Sequence, residues 1–197
     1  TLFPVIANRL MSRDRPNHER FLNRLGLDAD ADIFDELERG GGARVTDSIE
    51  LFPVPRVDSG VLSTRFFVRG IRHVEGGPEA ARRLREGSRL FLRPEPDNPV
   101  NDRAVLLDVE TGVSVGYAPD YLADVIHTIH QWAGDWPSVV VERVNRDAPA
   151  ANMVLAELSG TCPRDYRPFS ETDYAPLARD LADLDAALSE VGSNALG

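Results

Sequence analysis

The sequence predicts a mainly β (α+β) fold, in which a closed or partly closed antiparallel barrel carries helical extensions at both ends. The central part of the chain alternates in the order strand, helix, strand, loop, strand, strand, helix, strand, strand. Its strands are short and turns connect them, which favours antiparallel pairing over a parallel sheet. Hydrophobic residues make up 42% and charged residues 27% of the 197 residues, a composition typical of globular proteins.

Residues 1–60 are predicted to form a helical N-terminal extension. A first helix is predicted from Pro16, which suits a first helical turn, to Gly26, which ends it. The apolar residues on one face of this helix are Phe21, Leu22 and Leu25.

A second helix is predicted after an Asp30 cap, and residues 40–42, all glycine, end it. Beyond it, residues 47–52 alternate polar and apolar, as a half-buried strand does. Residues 54–60 are predicted to be a linker or an exposed turn. The residues expected to face inward from the second helix are Ile33, Phe34 and Leu37.

Residues 61–160 are predicted to form the barrel, with two helices at 78–86 and 119–132. The second of these helices carries apolar residues at helical spacing. The loop 94–102 contains three prolines and is predicted to be a rigid, non-helical turn. The apolar helix residues are Leu122, Val125, Ile126 and Ile129, and the six predicted strands span 63–71, 88–93, 103–109, 113–117, 138–144 and 152–158.

Residues 161–197 are predicted to form a loop, 161–171, and a helix, 174–191. Leucines recur along that helix at helical spacing, which indicates contacts with the core or docking on the barrel. A partner-binding or dimerisation face is the alternative. These leucines are Leu177, Leu181, Leu184 and Leu188.

The charge of the chain limits its function. All 22 basic residues are arginine and 32 residues are acidic, which gives a net charge of −10. This balance excludes a globally basic nucleic-acid binder and leaves room for a local basic face. No apolar run approaches the length of a membrane span, and the opening residues do not form a signal peptide. We therefore expect a cytoplasmic protein that does not bind membranes.

No catalytic residue, cofactor or metal ion is predicted. Cys162 is the single cysteine, which excludes an internal disulfide or a cysteine-based zinc site, and no histidine partner is evident for it. Two histidines lie three residues apart on one helix, but no further ligand accompanies them. Three aspartates could form a nuclease cluster only if they converged, and their spacing does not require this. These residues are His127 and His130, and Asp97, Asp102 and Asp108.

Three motifs in the barrel resemble those of the HIRAN domain family. The run from Val68 to Arg72 lies on the first strand, and the run from Leu90 to Pro99, with Ala104 and Val105 after it, spans the second strand and the loop. A third run, Val115-Gly116-Tyr117-Ala118-Pro119, leads into the second helix. The likeness covers about residues 64–158. The first 60 residues are also similar to the lead-in of stand-alone bacterial HIRAN proteins, at residues 9–12 and 46–48.

The resemblance implies a six-stranded, OB-like antiparallel barrel with two helices. In eukaryotic members the domain is attached to helicase-like enzymes that remodel replication forks, and it grips a single-stranded DNA end that bears a 3′-hydroxyl. Ligands of bacterial members are much less defined. The resemblance therefore implies a DNA-binding module without catalytic activity.

The family's binding residues map onto this sequence in part. Arg72 matches the arginine that meets the DNA, and Asn98 matches an asparagine of the loop. Asn101 replaces the aspartate that contacts the terminal hydroxyl, while Val74 and Val100 replace aromatic residues. His73 and Tyr117 could stack on bases, each adding roughly 1–3 kcal/mol. Arg93 could border a groove together with Arg72, Arg82 and Arg89.

Each of these assignments has a structural alternative. Asn98 could tie its turn by an Asx-type hydrogen bond and still contact a nucleotide. His73 and Tyr117 could cover the rim of the barrel, and the arginines could form an ordinary surface paired with acids.

Two functional hypotheses follow. The first is a non-catalytic module that binds single-stranded DNA or a 3′ end in DNA repair, replication or phage defence. The second is a protein-interaction or regulatory subunit of a DNA-processing or defence complex, in which capture of DNA ends has been lost.

Overall fold

The strands form one antiparallel sheet in the computed structural model, which describes residues 9–40, 50–170 and Tyr174. Seven strands lie in these ranges, in the spatial order β1-β2-β7-β6-β3-β4-β5. All six predicted strands are present, although the first ends at Phe67 and not at residue 71, and β1 is additional. The strands are β1 Arg56–Asp58, β2 Val61–Phe67, β3 Arg89–Pro94, β4 Val105–Asp108, β5 Ser114–Tyr117, β6 Ser138–Val144 and β7 Val154–Thr161.

A single bridge between Arg69 and Tyr117 closes the sheet into a barrel. The Arg69 amide donates to the Tyr117 carbonyl at 2.9 Å, and the Tyr117 amide donates to the Arg69 carbonyl at 2.8 Å. The bridge joins the extension of β2 to β5, so β2, β7, β6, β3, β4 and β5 form a ring, and β1 pairs with β2 outside it. Gly116 permits this approach, since a Cβ atom there would lie 2.4 Å from the Arg69 carbonyl oxygen.

Two helices accompany the barrel, as predicted: α3, Gly77–Arg83, and α4, Asp120–Ala133. Helix α4 packs against β7. Its predicted apolar face is fully buried, which confirms the helical periodicity in the sequence. The residues with no exposed surface are Leu122, Val125, Ile126 and Ile129.

Both helices predicted in the N-terminal extension are present, α1 as His18–Arg24 and α2 as Ile33–Gly40. Leu25 packs in a buried cluster with Phe67 of β2 and Leu155 of β7, which attaches α1 to the barrel. A hydrogen bond between the buried His18 and Glu36 side chains, 3.3 Å long, joins the two helices.

The predicted start of α2 was wrong by two residues. Asp32, and not Asp30, caps the helix, because its Oδ1 accepts hydrogen bonds from the amides of Phe34 at 2.7 Å and Asp35 at 2.9 Å. The prediction that Phe34 faces inward was also wrong, since 58% of its surface is exposed, whereas Leu37 is buried as predicted.

The segment before the barrel also differs from the prediction. Residues 50–52, the described part of the predicted strand 47–52, lie outside any strand, and the Phe52 ring instead stacks on Tyr121 with centroids 4.0 Å apart. The predicted linker 54–60 contains β1. Ser59 and Gly60, with φ of 52° and 84°, form the two-residue turn between β1 and β2, and positive φ at both positions is what a type I′ hairpin turn requires.

The chain divides into two compact units, Thr1–Tyr166 and Arg167–Gly197. In the second unit, the Phe169 and Tyr174 rings meet edge to face with centroids 6.0 Å apart. The predicted helix 174–191 and its four leucines lie outside the described residues, apart from Tyr174. None of the helices in the described ranges has the length and apolar character needed to cross a membrane.

Candidate functional site

The barrel closure places Tyr117 beside the loop between β3 and β4. The Tyr117 hydroxyl donates a hydrogen bond to Glu95 Oε2 at 2.9 Å, and the Asn98 side-chain amide donates to the same oxygen at 2.5 Å. Burial, followed by the hydrogen bond to Glu95, raises the pKa of the Tyr117 phenol. The phenol therefore remains a neutral donor to this carboxylate at physiological pH.

The loop is held by its two asparagines. Asn98 Oδ1 accepts hydrogen bonds from the backbone amides of Val100 at 3.0 Å and Asn101 at 3.2 Å, which is the predicted Asx-type turn. Asn101 Oδ1 accepts from the Arg103 amide at 2.8 Å, and its side-chain amide donates to Asp120 Oδ1 at the start of α4. The side chains of Asn98 and Asn101, which were predicted to contact a ligand, therefore fix the conformation of the loop.

Arg72 and His73 lie on a 3₁₀ turn, Ile71–His73, that directly follows the barrel-closing bridge. Gly70, with a φ of 65°, starts this turn, and a Cβ atom there would lie 2.9 Å from the Tyr117 ring. The turn contacts β5, which carries Tyr117. Both Arg72 and His73 are exposed, and their side chains form no hydrogen bond or ion pair with the described residues.

We call this region the Tyr117 site. It brings five of the six residues predicted for nucleic-acid binding to one part of the barrel, around the end of β5. Its members are the turn Ile71–His73 and the residues Glu95, Asn98, Asn101, Tyr117 and Asp120.

Arg93, the sixth predicted residue, is held by an ion pair. Its Nε donates to Asp108 Oδ2 at 2.6 Å and its Nη2 to Asp108 Oδ1 at 3.3 Å and to Ser114 Oγ at 2.8 Å. Asp108 is only 7% exposed, and its hydrogen bond raises the pKa of Arg93. This bidentate pair joins β3, β4 and β5 next to the Tyr117 site.

Sequence reasoning missed the two acidic residues that organise the site, Glu95 and Asp120. Glu95 lies three residues before Asn98 within a proline-rich turn, a spacing at which side chains meet across a tight loop. Asp120 lies 19 residues after Asn101, and no local signal links the two.

Several of the residues considered for metal binding or catalysis have structural partners. Asp108 is occupied by Arg93 and Ser114, and no three His, Cys, Asp or Glu side chains of the described ranges are grouped to hold a metal ion. The His127 Nε2 lies 3.0 Å from the Arg103 carbonyl oxygen, and the His130 ring stacks on Trp136 with centroids 3.9 Å apart. Cys162 is buried, and burial raises the pKa of its thiol, which disfavours the nucleophilic thiolate.

The barrel is closed by a single bridge, helix α4 follows strand β5, and a side-chain network lies at the closure. The model of the HIRAN domain family matches residues 61–162, just over half of the chain. The chain therefore belongs to the HIRAN domain family, as its motifs predicted.

Solved structures similar to this chain include a protein from Lactobacillus plantarum, with 19% identity and a TM-score of 0.43, covering 53% of this chain and all of that one. The HIRAN domain of human HLTF has 21% identity and a TM-score of 0.37, covering 53% of this chain and 83% of that one. The HLTF HIRAN domain in its DNA-bound conformation has 14% identity and a TM-score of 0.33, covering 71% and 90%. No curated protein matches the chain.

Proposed function

We propose that this chain is a non-catalytic module that binds single-stranded DNA, or a DNA 3′ end, at the Tyr117 site. The observation that carries the proposal is the position of the exposed turn with Arg72 and His73, which follows Gly70 at the Tyr117 ring and contacts β5. Membership of the HIRAN family, whose motifs imply DNA-end binding, supports the same ligand. The proposed setting is a DNA repair, replication or phage-defence assembly in a bacterial cytoplasm, with a protein partner from that assembly.

The proposed contacts follow from the chemistry of each group. The Arg72 guanidinium binds a backbone phosphate, for which its planar donor fork is suited. His73 and the Tyr117 ring offer surfaces on which bases stack. Asn98 and Asn101 keep the loop in position, and their own hydrogen bonds leave limited capacity for the ligand.

The carboxylates of the Tyr117 site favour a terminal hydroxyl over a terminal phosphate. Glu95 and Asp120 are acceptors, so a neutral hydroxyl can donate to them, whereas a phosphate at the same place would meet like charge. Because Asn101 stands where the family has an aspartate, we assign the acceptor role to these two carboxylates.

Fluorescence anisotropy with a labelled single-stranded oligonucleotide tests the proposal. We expect binding at low salt that prefers a 3′-hydroxyl to a 3′-phosphate, and an affinity about tenfold lower in Arg72→Ala, with a salt slope smaller by about one. Arg56→Ala is the matched control, since Arg56 is exposed on β1 and forms no hydrogen bond or ion pair with the described residues. Equal affinities for wild type and Arg72→Ala would contradict the proposed contact.

A protein-interaction or regulatory subunit is the second candidate. It is favoured by the ion pair of Arg93 with Asp108, which neutralises one of the cations expected at the groove. The net charge of −10 also opposes the approach of long nucleic acids. In that case the protein shows no oligonucleotide binding even at low salt, and Arg72→Ala leaves a stable complex with its protein partner unchanged.

A further inference from the structure

A second region of the barrel collects positive charge outside the Tyr117 site. A cleft with a volume of about 710 Å³ lies between α1 and the end of β6 with the loop that follows. Ten residues line it, and four of them are arginines. We call it the arginine cleft and define it by Arg20, Arg24, Arg143 and Arg146.

The arginines of this cleft are not neutralised by ion pairs. Some guanidinium groups elsewhere in the described residues form ion pairs with carboxylates: Arg65 lies 2.8 Å from Glu142, and Arg93 lies 2.6 Å from Asp108. In the cleft, by contrast, the bonded arginines donate to neutral oxygens. These are the Asp147 carbonyl for Arg24, the Asn23 carbonyl and Oδ1 for Arg143, and the Arg82 and Leu84 carbonyls for Arg146.

Hydrogen bonds to neutral oxygens hold a guanidinium in place without cancelling its charge. Arg143 is fixed in this way to α1, and Arg146 is fixed to the last carbonyls of α3. Arg20 is exposed and forms no hydrogen bond or ion pair with the described residues. Two acidic residues, Glu19 and Asp147, also line the cleft, so its formal charge is about +2 in a chain with a charge of −10.

We infer that the arginine cleft binds the phosphodiester backbone of a nucleic acid. Guanidinium groups bind phosphate through paired hydrogen bonds, and several positioned arginines suit a ligand with several phosphates. The volume falls in the range of ligand sites, about 300–1,000 Å³, while the polar lining indicates an anionic ligand and not an apolar one. This site is separate from the Tyr117 site, although it deepens the proposed function by naming a second DNA contact.

The test uses a single-stranded oligonucleotide whose 3′ end is blocked by phosphate, so that capture of a free end does not contribute. The double variant Arg20→Gln, Arg24→Gln removes two cleft charges with little structural loss, since Arg24 donates only one hydrogen bond, 3.5 Å long. We expect its affinity at low salt to fall about tenfold or more and its salt slope to fall by about two.

The matched control is the double variant Arg56→Gln, Arg164→Gln, which removes the same charge from two exposed arginines outside the cleft. Equal losses in the two double variants, or no loss in either, would overturn the inference. A titration with inorganic phosphate tests whether the cleft binds only small anions. Saturable phosphate binding without oligonucleotide binding would show such a small-anion site and would also overturn the inference.

The two proposals fail separately in this design. Arg72→Ala is expected to leave binding of the blocked oligonucleotide within about twofold of wild type, because Glu95 and Asp120 repel the 3′-phosphate and the strand then binds through the cleft alone. If Arg72→Ala abolished it while the cleft variant bound normally, the Tyr117 site would be the only DNA contact and the cleft would carry no such function.

Discussion

Arg93, next to the Tyr117 site, and the arginines of the cleft differ in the charge of the groups that accept their hydrogen bonds. Arg93 forms a bidentate ion pair with the buried carboxylate of Asp108. In the arginine cleft, Arg143 donates to the carbonyl and side-chain oxygens of Asn23, which carry no charge. The number of arginines on a surface therefore does not set its electrostatic field, because the charge of the acceptor decides whether a cation stays available.

The Tyr117 site and the arginine cleft also differ in the ligand groups that they are proposed to bind. In the proposed function, Glu95 and Asp120 of the Tyr117 site accept a hydrogen bond from a terminal hydroxyl, while Arg72 binds a phosphate. In the inferred second site, the positive charge of the arginine cleft binds phosphates of the backbone. The two proposals together place an anion-binding region on a protein with a net charge of −10.

We expect the greatest loss of stability from a substitution at the barrel closure. In Gly116→Ala, the new methyl group would lie 2.4 Å from the Arg69 carbonyl oxygen and 2.8 Å from Val68 Cγ1. The bridge must then open, and we expect the free energy of unfolding to fall by about 3 kcal/mol in urea denaturation. Gly40→Ala is the control, because a Cβ there meets its neighbours at 3.7 Å, an ordinary contact. A loss of similar size in both variants would show that the closure is not special.

Two substitutions test the difference between an arginine that is paired with a carboxylate and one that is bonded to neutral oxygens. Arg93→Ala leaves the buried Asp108 carboxylate without its counter-ion, and we expect a loss of about 2 kcal/mol in the free energy of unfolding. Arg143→Ala leaves only neutral oxygens, which water can satisfy, so a loss of about 1 kcal/mol is expected. Urea denaturation measures both.

Asp108→Ala provides the control for this pair. Its removal leaves Arg93, whose side chain is half exposed and can be hydrated, so the cost should be smaller than that of Arg93→Ala. Equal costs for Arg93→Ala and Arg143→Ala would remove the distinction drawn between the two regions.

Periodic patterns predicted the elements of the barrel well. The strand at 138–144 and the buried face of the helix from Asp120 both follow from alternation and helical spacing, because burial of one face imposes that period. The strand β1 was missed because the prolines at 53 and 55 indicated a linker, while positive φ at Ser59 allowed a hairpin directly after them.

The candidate sites were less predictable, because they depend on contacts between distant parts of the chain. Family motifs indicated Tyr117 and Asn98, but not that Glu95 would join them. The pairing of Arg93 with Asp108 depends on the register of β3 against β4, which their sequences do not fix. The arginine cleft joins Asn23 to Arg143, separated by 120 positions, so no local pattern could mark it.

A smaller loss of stability is expected when the hydrogen bond between Tyr117 and Glu95 is removed. Tyr117→Phe removes the hydrogen bond to Glu95 and should lower the free energy of unfolding by about 1 kcal/mol at neutral pH. Because the pKa of Tyr117 is raised in the folded protein, its contribution is fully present below the ordinary tyrosine pKa of about 10 and is lost as the pH rises through the folded value. The stability difference between wild type and Tyr117→Phe should therefore shrink above about pH 10, as measured by urea denaturation at several pH values. A difference that stayed constant across this range would mean that the phenol does not hold its proton for Glu95, and the neutral-donor description of the site would be wrong.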